Sequence, residues 1–280
     1  MTRETLLVDA DALATELASS GPPIVIDVRW RVAGPPGILD YRAGHIPSAR
    51  FADLDTELSG QRGTAGRHPL PEAADFAALM SRLGVGDDSA VVVYDAADSV
   101  PASRAWWDLR YFGHGDVRVL DGGYAGWVAA GLPVATSEPT VEPGSFTTVP
   151  GGLPMLVADS AAELATTGVL IDVRVGERFR GEVEPVDPIA GRIPGAINLP
   201  TTGNVGADSK FLDIETLRRR FESVGVADSA PVGVYCGSGV NAAHTVFAMT
   251  LAGYPSPALF VGSWSHWITD TSRPIATGPA

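Results

Sequence analysis

Cys236 is the only cysteine in the chain, and the residues around it are those best suited to chemistry. It stands in the run Val234-Tyr235-Cys236-Gly237-Ser238-Gly239-Val240-Asn241-Ala242-Ala243-His244. The apolar stretch 231–235 predicts a buried strand, the glycines predict a tight loop, and 240–251 predicts an apolar helix. A thiol at such a junction would face the backbone N–H groups of Gly237, Gly239, Val240 and Asn241. It would also face the positive end of the helix. Both features favour the thiolate, which is the nucleophilic form. The alternative is a small, inert core residue.

The rest of the composition narrows the field. The 280 residues carry 33 acidic and 20 basic side chains, a formal net charge of −13. That balance speaks against nonspecific nucleic-acid binding, so no nucleic-acid partner is expected. An anionic substrate would need a local cationic site, because the overall field repels it. A lone cysteine excludes an internal disulfide and a cysteine-rich zinc site. His45, His114 and His266 show no metal spacing, and His244 falls on the apolar helix as a core residue. Neither a metal nor an organic cofactor is expected. No long apolar run follows Met1-Thr2-Arg3-Glu4, and none elsewhere could span a bilayer. The expectation is a cytoplasmic protein with no membrane partner.

The elements that must position Cys236 occur twice. Ile24-Val25-Ile26-Asp27-Val28-Arg29 returns as Val169-Leu170-Ile171-Asp172-Val173-Arg174. Gly44-His45-Ile46-Pro47 returns as Gly191-Arg192-Ile193-Pro194, and Val93-Tyr94-Asp95 returns as Val234-Tyr235-Cys236. Leu120-Asp121-Gly122-Gly123, with Trp127 and Pro133, returns as Phe260-Val261-Gly262-Ser263, with Trp267 and Pro274. The matches keep their order, which points to a tandem domain and not a solenoid. In each copy short apolar strands alternate with amphipathic helices, predicted over 11–19, 71–83 and 103–112, then 160–167, 213–224 and 240–251. Such alternation predicts an α/β fold, each domain a mostly parallel sheet with helices on both faces. Ligands in such folds bind beyond the carboxyl ends of the strands, where Cys236 and Asp95 both fall. The expected division is a first domain over 1–138, a Pro- and Gly-rich linker over 139–152, and a second domain over 153–280. With Asp95 in place of the cysteine, the first copy has no thiol and is expected to be catalytically silent.

These motifs resemble the two-domain sulfurtransferases of the rhodanese superfamily over nearly the whole chain. The loop Cys236-Gly237-Ser238-Gly239-Val240 is most similar to that of 3-mercaptopyruvate sulfurtransferases. Thiosulfate-specific rhodaneses typically carry basic residues just after the cysteine, and here Gly237 and Ser238 are neutral. The resemblance implies tandem rhodanese-like domains, with Arg178 as the arginine for the substrate carboxylate. A guanidinium fork suits that group. The resemblance also implies a triad of Ser238, His68 and Asp55, in which a hydroxyl relays protons, a histidine orients it and an aspartate fixes the tautomer. The family usually has a second arginine about nine positions after Arg178. This chain has Val186-Asp187-Pro188 there, and Arg180 or Arg192 is a candidate replacement.

The implied reaction is a double displacement through a Cys236 persulfide, with 3-mercaptopyruvate or thiosulfate as donor. A thiol, thioredoxin or cyanide would be the acceptor. Two other classes compete with it. A cysteine phosphatase of related fold would need the arginine of a Cys-x5-Arg loop, and Ala242 stands in its place. A sulfur-carrier module would bind without releasing pyruvate or sulfite.

Overall fold

The computed structural model describes residues 2–255 and 257–279. The chain divides into two compact units. The first holds Met1–Gly60, Leu70–Gly152 and Val205–Phe211; the second holds Gln61–Pro69, Leu153–Asn204 and Leu212–Ala280. The stretch 139–152 therefore groups with the first unit, and two short segments belong to the unit opposite to their flanks. One of them, Gln61–Pro69, carries His68.

Each unit is built on a five-stranded sheet. In the first unit the strands are β1 (Leu7–Val8), β2 (Ile24–Asp27), β3 (Arg50–Phe51), β4 (Val91–Tyr94) and β5 (Val117–Leu120). In the second they are β6 (Met155–Leu156), β7 (Val169–Asp172), β8 (Ile197–Asn198), β9 (Val232–Tyr235) and β10 (Ala258–Phe260). The order is β1-β5-β4-β2-β3 in one and β6-β10-β9-β7-β8 in the other, and every pairing is parallel. Central strands buried on both faces read as continuous apolar runs, which is why Val-Val-Val-Tyr in β4 and Val-Gly-Val-Tyr in β9 are buried throughout. Gly233 interrupts β9 for a packing reason: a Cβ there would lie 2.5 Å from Leu156 Cδ1 and 2.6 Å from Leu164 Cδ2.

The repeated Asp-Val-Arg motif has the same structural task in both units. Asp27 pairs in register with Tyr94, and Asp172 with Tyr235. Arg29 Nη2 donates to Asp27 Oδ2 at 2.6 Å and to Gly44 O at 2.7 Å; Arg174 Nη2 donates to Asp172 Oδ2 at 2.6 Å and to Gly191 O at 2.7 Å. The Tyr94 and Tyr235 hydroxyls accept the N–H groups of Ile46 and Ile193. A buried ion pair with its hydrogen bonds completed thus ties the end of one strand to the Gly-x-Ile-Pro turn. The paired Trp and Pro residues also have a shared role. Trp127 Nε1 donates to Pro133 O at 2.8 Å, and Trp267 Nε1 to Pro274 O at 3.1 Å.

The helices that matter for the site are Val100–Tyr111 after β4 and Val240–Leu251 after β9. Four shorter ones, Gly37–Ala43, Gly123–Ala129, Gly176–Arg180 and Ser263–Trp267, complete the turns at the ends of the strands. Leu164, Leu170, Phe179, Phe260, Trp264 and Trp267 form the core of the second unit. His244 is buried on Val240–Leu251. No helix among the described residues is long and apolar enough to cross a membrane.

Candidate active site

Cys236 follows the last residue of β9 and is buried, 3% exposed. Gly239 has φ +85, a left-handed conformation that side chains disfavour. That turn sends the Gly239 N–H back to Cys236 Sγ at 3.1 Å. Val240 and Asn241 open the helix Val240–Leu251, and first-turn amides have no acceptor within their own helix. The short helix Ser263–Trp267 braces the loop from the other side. Trp264 N donates to Cys236 O at 3.0 Å, and Ser265 N to Gly237 O at 2.9 Å. Ser263, with φ +52, is strained for a residue with a side chain, and its hydroxyl explains why the strain is kept. Ser263 Oγ donates to Phe260 O at 2.8 Å, accepts Cys236 N–H at 3.1 Å and lies 3.9 Å from Cys236 Sγ. Its counterpart in the first unit is Gly123, so the repeat itself marks Ser263 as a residue specific to the thiol-bearing copy. The sequence reading missed it.

Of the expected triad, the second unit brings two members together. His68 Nδ1 lies 2.8 Å from Ser238 Oγ, both residues buried and 170 positions apart. His68 is held by its own segment. Arg67 N donates to Ser265 Oγ at 3.0 Å, and Thr269 Oγ1 donates to Thr64 O at 3.0 Å. Gly66 has φ +110 and packs so closely that a Cβ would lie 2.8 Å from Gly262 O. Asp55 lies in the first unit and is itself exposed, in a turn over 54–57.

Arg178 sits on the helix Gly176–Arg180 and is not a solvated surface residue. Its Nε and Nη2 donate to Glu184 at 3.0 and 2.6 Å, and Nη2 also reaches Asp187 Oδ2 at 3.2 Å. Asp187 forms a second ion pair, with Arg67 Nη1. Burial works against ionisation of Glu184, but hydrogen bonds from Arg178 and from the N–H groups of Asp187 and Val186 outweigh it and hold the carboxyl low. Burial pushes the Asp187 carboxyl up, against the pull of Arg67 and Arg178. Both guanidinium groups converge on Gly237. A Cβ there would lie 2.7 Å from Arg67 Nη2, and 3.5 and 3.7 Å from Arg178 Nη2 and Nη1. The loop is neutral by its own residues but has two cations over it. Arg180 and Arg192 are engaged elsewhere. Arg180 Nε donates to Glu182 at 2.7 Å on the surface, and Arg192 Nη1 and Nη2 donate to Gly278 O and Pro279 O at 2.7 and 3.2 Å.

The first unit shows what occupies this position when no thiol is present. The Asp95 carboxylate accepts the N–H groups of Ala97 at 3.0 Å, Ser99 at 3.1 Å and Ala102 at 3.2 Å. The loop's anion site is filled by an anion of the chain itself. Burial, with Asp98 adding to it, pushes Asp95 up to about 7, and burial pushes Asp108 up to about 6 despite Arg104. A carboxyl raised in the folded state binds its proton more tightly there than in the unfolded chain. Its contribution to stability therefore falls as pH rises from about 4 through about 7. The slope for one proton is at most about 1.4 kcal/mol per pH unit. Thermal melts between pH 5 and pH 8 should show the wild-type Tm declining with pH, and the decline should be shallower in Asp95→Asn. Parallel curves would refute the assignment to Asp95.

The rhodanese-like domain family matches the chain twice, over residues 9–130 and 157–270. The chain belongs to the rhodanese-like family. Among its relatives, a Pseudomonas aeruginosa protein provisionally named 3-mercaptopyruvate sulfurtransferase is 45% identical, covering 97% of this chain and 98% of its own. A Mycobacterium tuberculosis protein provisionally named thiosulfate sulfurtransferase SseB is 41% identical, covering 99% of each. The crystal structure of SseA from Escherichia coli, described as a 3-mercaptopyruvate sulfurtransferase with the rhodanese fold, superposes with a TM-score of 0.84. It is 33% identical and covers 93% of this chain and 99% of its own. Two rhodanese-like units, one with a cysteine and one with an aspartate at the same strand end, are thus the family's fold in this chain.

Proposed function

We propose that this rhodanese-like chain is a sulfurtransferase that takes sulfur from 3-mercaptopyruvate and passes it to a thiol or to cyanide through a persulfide on Cys236. The observation that carries the reading is the setting of Cys236. Its sulfur accepts the Gly239 N–H at 3.1 Å, at a helix N-terminus, with guanidinium groups over the next residue. Near relatives carry the same activity in their names. In the first half-reaction the Cys236 thiolate attacks the donor sulfur. An S–S bond forms and the donor C–S bond breaks, its electron pair staying on carbon. The donor's thiol proton ends on that carbon, and pyruvate leaves. Amides of Gly237, Gly239, Val240 and Asn241 stabilise the charge on the outer sulfur. Arg178 holds the donor carboxylate, and Ser238 with His68 moves the proton. In the second half-reaction an acceptor thiolate, that of thioredoxin or a small thiol, attacks the outer sulfur and the Cys236 thiolate returns. The first unit, whose anion site Asp95 fills, has no part in the chemistry. A cytoplasmic setting suits a reaction that depends on one reduced thiol.

Thiosulfate is the second reading. The two guanidinium groups over Gly237 supply cations that a dianion would use, and sulfite would then be the leaving group. The test compares kcat/KM for the two donors, with pyruvate or sulfite release followed directly. The expected result is a preference for 3-mercaptopyruvate of at least about tenfold, roughly the 1.4 kcal/mol of one good charged contact. A preference for thiosulfate would transfer the assignment to the second reading. Failure of both donors to add one sulfur to Cys236 would remove the proposal altogether.

A further inference from the structure

The family's second carboxylate arginine has no counterpart at its usual place, and the residue there, Asp187, has the opposite charge. That carboxylate does not leave the site one cation short. It holds Arg67, which arrives on the segment Gln61–Pro69. We infer that Arg67 is the second donor-binding cation of this enzyme, gripping the substrate carboxylate together with Arg178. The inference rests on the 3-mercaptopyruvate reading and specifies how that donor is held.

Four observations support it. The Nη1 of Arg67 is used on Asp187 and the Nε and Nη2 of Arg178 on Glu184 and Asp187, while Arg67 Nη2 and Arg178 Nη1 make no hydrogen bond to a described residue. Both of these nitrogens lie over Gly237, within 2.7 and 3.7 Å of where its Cβ would be. The two side chains stay 14% and 17% exposed, so a small ligand reaches them, while Asp187 and Glu184 behind them are 3% and 4% exposed. Scale agrees as well. Three bonds separate the donor's sulfur from its carboxylate carbon, and the Cα of Gly237 is about 3.8 Å from that of Cys236. A donor with its sulfur on Cys236 therefore places its carboxylate beside residue 237, where two guanidinium ends converge. One terminal nitrogen from each guanidinium then faces the carboxylate, one for each of its two oxygens.

The arrangement also explains why Gly237 has no side chain. Any Cβ would displace the Arg67 tip. A basic residue after the cysteine, the usual thiosulfate-specific feature, is replaced here by a cation brought in from elsewhere and balanced by its own carboxylate. With Arg67 and Arg178 set against Glu184 and Asp187, the four groups carry no net charge. They offer directed donors without a surplus of positive field, which favours a single carboxylate over a dianion. Arg67 and its neighbour His68 share one segment, so the carboxylate grip and the His68–Ser238 pair are fixed by the same backbone.

The experiment separates charging from discharge. Arg67→Ala and Arg67→Lys are prepared, and persulfide formation with 3-mercaptopyruvate is followed in single turnovers. Discharge of the preformed persulfide to an uncharged thiol is measured separately, as is inhibition by pyruvate. Arg67→Ala should lose about 10- to 100-fold in kcat/KM for charging, chiefly through KM, and weaken pyruvate binding by a similar factor. The loss in discharge should be at least tenfold smaller. Arg67→Lys keeps the ion pair with Asp187 but lacks the fork, and should lose about 3- to 10-fold in the same two quantities. If the alanine variant fails to fold, the lysine variant carries the test. Unchanged KM and pyruvate inhibition in the folded variants would overturn the role of Arg67. So would equal losses in both half-reactions, which mark a merely structural residue. A wild-type protein that does not release pyruvate would instead overturn the donor reading on which the inference rests.

Discussion

Cys236→Ser is expected to abolish sulfur transfer, lowering kcat by at least about 10³-fold, while leaving the fold intact. The two halves of that expectation have separate causes. The serine hydroxyl is not ionised near neutral pH and cannot carry a transferable sulfur, so both half-reactions lose their intermediate. Structurally the change is small. The side chain is buried, its sulfur accepts the Gly239 N–H and lies 3.9 Å from the Ser263 hydroxyl, and a serine oxygen accepts the same N–H. The Tm should therefore shift by no more than a few degrees, roughly the effect of 1 kcal/mol. Mass spectrometry after incubation with 3-mercaptopyruvate should find one added sulfur on the wild-type chain and none on the variant. More than about 1% residual turnover by a folded Cys236→Ser protein would show that another group carries the sulfur, and the persulfide route would fall.

What was legible in the sequence was local or repeated. The strand, loop and helix around Cys236 lie within some twenty consecutive residues, and the helix forms at Val240–Leu251 as the pattern predicts. The duplication exposed the Asp-Val-Arg ion pairs and the Trp–Pro contacts, because each recurs with its partner. Strands of two residues, such as β3 and β8, and helices of five to seven residues are too short to show a period, and they were not read. The same limit hid the cations. Nothing in the local pattern of Gly66-Arg67-His68-Pro69 says that its arginine meets Asp187, 120 positions away. The reading of Gly237 and Ser238 as a neutral loop was correct for the residues and incomplete for the site, since the charge over Gly237 comes from Arg67 and Arg178. One signal was available and unused. Asp187 stands where an arginine is usual, and a charge reversal at a buried binding position calls for a compensating cation. Arg180 and Arg192, the candidate replacements, are both spent on other partners.

Ser238→Ala and His68→Ala should each slow persulfide formation by about 10²- to 10³-fold, and the double variant should be little worse than either single one. The expectation follows from their contact. At 2.8 Å, His68 Nδ1 and Ser238 Oγ share one hydrogen bond, so a proton delivered to the departing carbon through the hydroxyl needs both groups in line. Removing either breaks the relay, and removing the second then has little left to break; groups that act as a unit are non-additive in this way. Discharge of a preformed persulfide to a thiol needs no proton on carbon, so it should be much less affected. That difference separates a proton relay from a loop-shaping role. If Ser238 merely held the turn, its loss would disturb the Cys236 amide setting and slow both half-reactions alike. The double-variant cycle supplies the second check. Costs that add, 10²-fold on 10²-fold, would mean that the two side chains act separately, and the relay assigned to them would be wrong even if each variant were individually impaired. A cycle that saturates, with charging affected and discharge spared, is the result that the 2.8 Å contact requires.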